Sequence, residues 1–287
     1  MTAVTAILSI QSSVAYGHVG NSAVAFPLMR LGIEVYPVIT VHFSNHTGYG
    51  AWRGPHLAAD DLAEVIRGLD ERGVLGTCDA VLSGYQGGAD IGEVILEAVA
   101  LVKERNPHAV YCCDPVLGDV GRGLFVRPGV PELIRERVIP AADISTPNHY
   151  ELDYLTGHRT KTIDQVVAAA HALRALGPQT VLVTSVPQRD LEPHSISMVA
   201  VTSQGAWSVT TPELPQSFNG AGDLTAGLFL AELLSSADAP AALGRTAAII
   251  FSVLEATVAA GQRELQLVAA QNEIVQPSRS FEVTRLH

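Results

Sequence analysis

Alternation restricts the fold of this chain more than any other feature. Short apolar runs that end at Gly, Pro, Asn or Ser fall at 4–11, 34–41, 78–83, 109–113, 144–146, 180–184, 196–202 and 206–211. Among and after them lie longer runs with helical spacing of apolar residues, at 21–31, 58–72, 92–105, 130–137, 151–156, 163–176, 224–234, 241–260 and 263–275. A strand followed by a crossover helix, repeated along the chain, builds a mostly parallel sheet. The expectation is therefore a three-layer αβα fold with helices on both faces of that sheet. Only Ser203, Gln204 and Gly205 separate the last two strands, which are expected to pair antiparallel. The best-marked helix is 163–176, where Thr162 and Gln165 have capping-box spacing and Gly177-Pro178 supplies a stop. No repeat, low-complexity tract or linker interrupts the series, and residues 1–287 read as a single domain.

Composition narrows the partners. With 47% of residues apolar and 16% charged, much of the chain must be buried. The net charge is −11, and no cluster of Lys and Arg could neutralise a row of phosphates, so nucleic acid is not an expected partner. Apolar stretches are broken by Gly, Pro or charge before the roughly 20 residues a membrane helix needs, so no membrane partner is expected either. The start, Met1 to Leu8, has no cationic lead before its apolar run and does not read as a targeting signal. Three cysteines, Cys78, Cys112 and Cys113, are an odd number with two adjacent in a strand, which suits a reducing compartment; a cytoplasmic location is expected.

The clearest chemistry lies in Phe218-Asn219-Gly220-Ala221-Gly222-Asp223, just before a run apolar on nearly every helical face. With no bulky side chain at 220 to 222, backbone N–H groups can approach a ligand closely. The dipole of the helix that follows adds partial positive charge, so the position favours a phosphate or a developing oxyanion. A carboxylate beside such a hole can take the proton of an attacking alcohol as a phosphoryl group arrives. Gly220, Ala221, Gly222 and Asp223 are thus the candidate catalytic set, although a turn with an N-capping aspartate would have the same sequence. Other nucleotide motifs are excluded. The two lysines, Lys103 and Lys161, follow no Gly-x-x-x-x-Gly, no His-Arg-Asp loop exists, and Thr225 stands where a dinucleotide fingerprint needs a third glycine.

Oxygen ligands recur at strand ends. Asp114 and Asp119 lie at and just beyond one, where hard carboxylate ligands suit Mg²⁺ carrying ATP phosphates; a turn before Pro115 is the alternative. Thr146-Pro147-Asn148-His149-Tyr150-Glu151 ends another, with Asn148 and Glu151 spaced either to reach a metal's water shell or to form a capping box. Thr184 and Ser185 end a third, within reach of a nucleotide phosphate or simply in a turn. His42 and His46 have no third ligand nearby, which disfavours zinc.

The opening Ser9-Ile10-Gln11-Ser12-Ser13-Val14-Ala15-Tyr16-Gly17-His18-Val19-Gly20-Asn21, followed by Phe43 to Tyr49, closely resembles pyridoxal kinases of the ribokinase-like superfamily. The resemblance continues in order through Leu82-Ser83-Gly84-Tyr85, Cys113 to Asp119, Thr146-Pro147-Asn148, Val183-Thr184-Ser185 and Gly220 to Asp223. It implies a ribokinase-like fold and phosphorylation by MgATP of the 5′-hydroxymethyl group of pyridoxal, or of related B6 vitamers. It further implies that Asp223 is the base and that Gly220, Ala221 and Gly222 form the anion hole. Ser12 would bond the pyridine ring, Thr47 would meet its polar edge, and Val19 and Tyr85 would wall the pocket. Asp114, Asp119, Thr146 and Glu151 would organise phosphates and Mg²⁺, with K⁺ or Na⁺ as a further option. Thr184 and Ser185 would contact ATP, Thr211, Pro212, Glu213 and Leu214 would lie over the adenine, and the chain would pair as a homodimer. Two rivals remain in view: a hydroxymethylpyrimidine kinase, and a non-catalytic carrier of pyridoxal phosphate that would need the pocket but not Asp223.

Overall fold

The computed structural model describes residues 4–187 and 194–286. In chain order the elements are β1 (Ala6–Val14), α1 (Asn21–Arg30), β2 (Glu34–Phe43), α2 (Ala59–Glu71), β3 (Ala80–Ser83), α3 (Ala89–Arg105), β4 (Val110–Cys113), β5 (Gly118–Asp119) and β6 (Gly123–Leu124). There follow α4 (Val130–Leu133), a π-helical turn (Ile134–Val138), α5 (Ile139–Ala141), β7 (Ile144–Ser145), α6 (His149–Thr156), α7 (Ile163–Arg174), β8 (Thr180–Pro187), β9 (Ser195–Thr202) and β10 (Gly205–Pro212). The chain closes with α8 (Ala221–Ser236), α9 (Ala239–Ala259), α10 (Gln271–Val275) and β11 (Val283–Arg285).

Nine strands form one sheet in the order β11-β10-β9-β8-β7-β4-β3-β1-β2. Neighbours from β2 to β8 run parallel, and the pairs β8–β9, β9–β10 and β10–β11 run antiparallel. The helices sort by the two faces of the strands. Leu8, Val81, Cys113 and Val181 point toward α2, α3, α6 and α7, whereas Ile7, Leu82, Cys112 and Leu182 point toward α1, α8 and α9. Successive strand residues alternate faces, so burial on both sides explains why these strands read as unbroken apolar runs. The same alternation sends the adjacent thiols of Cys112 and Cys113 to opposite faces, and both are free.

Parallel register also sets up the site. Ile10, Ser83, Cys113, Ser145 and Val181 are mutual partners across five strands. The residues that follow, Gln11, Gly84, Asp114 and Thr146, therefore stand side by side at the carboxyl edge of the sheet, where ligands of open α/β sheets bind.

Three expectations need correction. The run 263–275 is helical only at Gln271–Val275: Gly261 takes a left-handed φ of 62° and Gln266 N–H bonds Thr257 Oγ1 at 3.0 Å, while Leu265 and Leu267 insert into the core. The run 130–137 is not one α-helix but passes through π geometry into α5, because Pro140 has no N–H to give to a carbonyl four residues back. Finally, α9 is long and apolar enough to cross a membrane by length and composition, with a mean hydropathy of 1.5 over 18 residues. That window is 61% buried inside the fold, against α8 and the sheet, which is why most of the helix is apolar.

Candidate active site

The start of α8 is built from backbone. Gly220 is its N-cap at φ 82°, in the left-handed region, and no side chain caps the first turn. A Cβ on Gly220 would lie 1.8 Å from the carbonyl oxygen of His18, so only glycine fits where the loop after β1 crosses the helix start. Around Gly222 the opposite holds: a Cβ would meet nothing within 4 Å. With no bond from an N-cap side chain, the N–H groups of Ala221 and Gly222 at the start of this 16-residue helix lie beside that open space, an arrangement that attracts an anion. Asp223 stands in the first turn and is not the N-cap, which removes the capping reading of Gly-x-Gly-Asp. Burial pushes its carboxyl above the usual aspartate value, opposed by the backbone N–H groups of Gly20 and of Asp223 itself.

Next to it lies a second carboxyl group with no compensating cation. Asp114, 5% exposed, directly follows β4; burial, then the charges of Glu151 and Asp223, raise its pKa well above the ordinary value. The hydroxyl of Thr146 opposes that rise, yet Thr146 Oγ1 is buried with no partner at hydrogen-bonding distance. Glu151 is committed differently. Its Oε1 accepts the N–H groups of Leu117 (2.7 Å) and Gly118 (3.3 Å), and its Oε2 accepts that of Asn148 (2.9 Å). Asn148 Oδ1 accepts the N–H of Glu151 in return, so the capping-box alternative for this pair is the one present. Burial still raises the Glu151 carboxyl to about 7 against these three donors. What the bonds secure is the loop after β4, where Val116 is held at φ 43°, a conformation costly for a β-branched residue.

These residues fit a cation only in a limited way. Among the described residues no three His, Cys, Asp or Glu side chains converge. Both oxygens of Glu151 are engaged, and Asp119 is exposed with Oδ1 accepting the N–H of Val120 at 2.7 Å. That leaves Asp114 and the unpartnered Thr146 hydroxyl as direct donors, which suits an ion such as Mg²⁺ that keeps waters and takes one or two carboxylates plus substrate phosphates.

A cavity of about 770 Å³ opens on the other side of the α8 start. Asp119, Thr184, Ser185, Thr211, Pro212, Glu213, Leu214, Ala221 and Gly222 all line it. Ser185 takes a φ of 57° where β8 slips register against β9 between Val183 and Val186, and the irregularity re-aims both hydroxyls. Asp114, Thr146, Glu151, Gly220 and Asp223 lie outside the cavity wall. Its apolar floor of Met198, Ile250, Phe251 and Leu254 was not foreseen, and neither was His149 on its rim.

Of the remaining predicted residues, Ser12 and Val19 flank the loop that abuts Gly220, Tyr85 packs in one apolar cluster with Val19, and Thr47 lies on a separate loop. Ser12 sits in a bulge of β1 between Gln11 and Ser13, 7% exposed, and Gly20 is so close that a Cβ would approach its carbonyl oxygen to 2.2 Å. Val19 and Tyr85 pack with Val14, Val41 and Phe43 in a small apolar cluster. Thr47 begins a single 3₁₀ turn, Thr47–Tyr49, and a Cβ on neighbouring Gly48 would lie 3.6 Å from Asn219 Oδ1, one residue before Gly220. Two further residues, Tyr49 and Glu264, tie these loops together by a 2.7 Å hydrogen bond that no local signal in the sequence announces.

Residues 75–267 match a family model described as phosphomethylpyrimidine kinase. The chain is 60% identical over 281 residues to pyridoxal kinase PdxY of Rubrobacter xylanophilus, covering 98% of this chain and 97% of that one. It is 55% identical to pyridoxal kinase PdxY of Leifsonia xyli, over 98% and 99% of the two chains. Among solved structures, pyridoxal kinase from Leishmania donovani in complex with ADP and ginkgotoxin superposes with a TM-score of 0.92 at 30% identity, over 99% of this chain and 100% of that chain.

Proposed function

The chain belongs to the pyridoxal kinase family and phosphorylates B6 vitamers with ATP, and from that premise we propose that Asp223 is the general base and the first turn of α8 the anion hole. The 5′-hydroxymethyl group of pyridoxal is the acceptor in this reading. One observation carries it: Gly222 lines the large cavity, while Gly220, two residues back, abuts His18 and Val19 of the opposite loop. A single turn of backbone therefore stands between a nucleotide-sized space and the loop residues assigned to the vitamer.

Each half then has a defined task. Ser12 and Thr47 give the vitamer its polar contacts, and Val19 and Tyr85 give it apolar walls. The cavity takes ATP, with Thr184 and Ser185 toward the phosphates and Thr211 to Leu214 along the adenine. Asp223 takes the alcohol proton, the uncapped N–H groups hold the charge spread over the transferring oxygens, and little other covalent help is needed. Mg²⁺, held by Asp114 with Thr146 and the phosphates, would supply the charge that compensates this buried carboxyl, and a monovalent cation, K⁺ or Na⁺, would share the same acidic corner. Glu151 and Asp119 act through the loop they stabilise. A single domain and a cytoplasmic location, read from the uninterrupted element series and the cysteine usage, and a homodimeric state, which rests on the family resemblance, belong to the same proposal.

The description of the matching family model favours one rival, a hydroxymethylpyrimidine kinase. An ATP-consumption assay across pyridoxal, pyridoxine, pyridoxamine and hydroxymethylpyrimidine decides between them. The expected order places a B6 vitamer first by kcat/KM. Preference for hydroxymethylpyrimidine would overturn the vitamer assignment, and tight pyridoxal binding without ATP consumption would leave only a carrier.

A further inference from the structure

We infer that Glu264 is the positioning residue of the vitamer half of the site, clamping together the two loops that carry Val19 and Thr47. The inference rests on the reading of those loops as the vitamer pocket. Glu264 is 6% exposed and comes from the segment after α9, far from both loops in sequence. Its Oε2 accepts the backbone N–H of His18 at 3.1 Å, and its Oε1 accepts the phenol of Tyr49 at 2.7 Å. Gly17, at φ 92°, lies so close that a Cβ would stand 2.1 Å from Oε2. The loop backbone therefore rests directly on the carboxylate. Its neighbour Arg263 completes the clamp, donating to the carbonyl oxygen of Gly48 at 2.9 Å and stacking its guanidinium 4.1 Å from the Tyr49 ring centre.

The other side of the same loop touches the reacting centre. The His18 carbonyl meets Gly220, and Gly20 meets Ser12. Residues 17 to 20 are thus wedged between Glu264 and the α8 start, and a displacement at one side must be felt at the other. Neither Glu264 nor Tyr49 lines the nucleotide cavity, so the clamp is expected to act first on the vitamer. The chemistry also calls for a carboxylate. The carboxylate accepts from both donors at once, whereas a glutamine keeps one neutral carbonyl acceptor and meets the phenol only by donating its NH₂ to a Tyr49 oxygen whose hydroxyl has rotated away, so the charge assistance is lost.

Steady-state kinetics with pyridoxal and MgATP, alongside melting temperatures, test this on Glu264→Gln, Tyr49→Phe and Ser12→Ala. Glu264→Gln is expected to raise the pyridoxal KM about tenfold, the loss of one charge-assisted hydrogen bond, with the MgATP KM changed less than about twofold. Tyr49→Phe, which keeps the ring under Arg263, is expected to raise the pyridoxal KM about threefold, and it decides the matter if Glu264→Gln does not fold. Should Ser12→Ala raise the pyridoxal KM while the two clamp variants leave it unmoved, or raise both KM values alike, the clamp is overturned and the pocket survives. An unmoved pyridoxal KM in Ser12→Ala removes the pocket itself, and the clamp with it.

Discussion

The phosphate side and the vitamer side of this site are held in place by different means. On the phosphate side Asp114 and Thr146 directly follow two neighbouring strands of one parallel register, Thr184 lies inside the next strand at its register break and not at its end, and Gly222 and Asp223 open a long buried helix. On the vitamer side Val19 and Thr47 ride on loops whose positions depend on Glu264, through bonds spanning 246 and 215 positions of sequence. Charge chemistry needs donors that do not reorganise, and the sheet edge and helix start supply them. Ring recognition is left to loops, which can change without disturbing the frame. If that contrast is right, damage to the frame should cost folding or nucleotide handling, and damage to the loops should cost vitamer affinity alone.

The sharpest way to break the contrast lies within one turn of α8. Gly220→Ala would press a methyl group against the His18 carbonyl at a left-handed φ, and a Tm loss of about 10 °C is expected. Gly222→Ala, with open space around it, should change Tm by less than about 2 °C while lowering turnover, because its methyl group enters the anion hole. Equal Tm losses in the pair would mean that the helix start is packed on both sides and is no site.

A smaller effect is expected at the buried carboxyls. Asp114, Glu151 and Asp223 all have pKa values raised in the folded chain, chiefly by burial. Acids of that kind bind more protons folded than unfolded. Their contribution is therefore fully present below the ordinary values of 3.8 and 4.5 and is lost as pH rises through the folded ones, about 7 for Glu151. Asp114→Asn should stabilise the ligand-free chain by about 1–3 kcal/mol at pH 8 and flatten this decline in denaturant titrations. The same variant should raise the MgATP KM about tenfold and the pyridoxal KM little. A stability loss at pH 8, or equal changes in both KM values, would assign Asp114 to folding and not to the nucleotide.

What was legible in the sequence follows the same division. Gly220 to Asp223 could be singled out because consecutive backbone groups before a helix are a local feature, and Asp114 and Thr146 because parallel strands align their ends, whereas Thr184 and Ser185 lie inside a strand that runs on to Pro187. The pair Asn148 and Glu151 was ambiguous for a physical reason: a capping box and a ligand pair have the same spacing, and only the bonds to Leu117 and Gly118 separate them. Hairpin β5–β6 gave no signal because two residues per strand cannot establish a period. Ile250, Phe251 and Leu254 were hidden because most of α9 is apolar, so cavity floor and core look alike. Ser12, Val19, Thr47 and Tyr85 were reached only through family resemblance, since a single serine or threonine after a strand has no signature of its own. Glu264 was missed altogether, inside a run that reads as helix and joined to partners that no window of sequence contains.

Everything in the mechanism turns on Asp223, and steady-state turnover of Asp223→Asn with pyridoxal and MgATP measures it directly. The predicted result is a fall in kcat of about 10³-fold with the pyridoxal KM within about threefold of the starting value, since the geometry is kept and only the proton acceptor is lost. A kcat within a few-fold of the unsubstituted chain, measured under the same conditions, would contradict it.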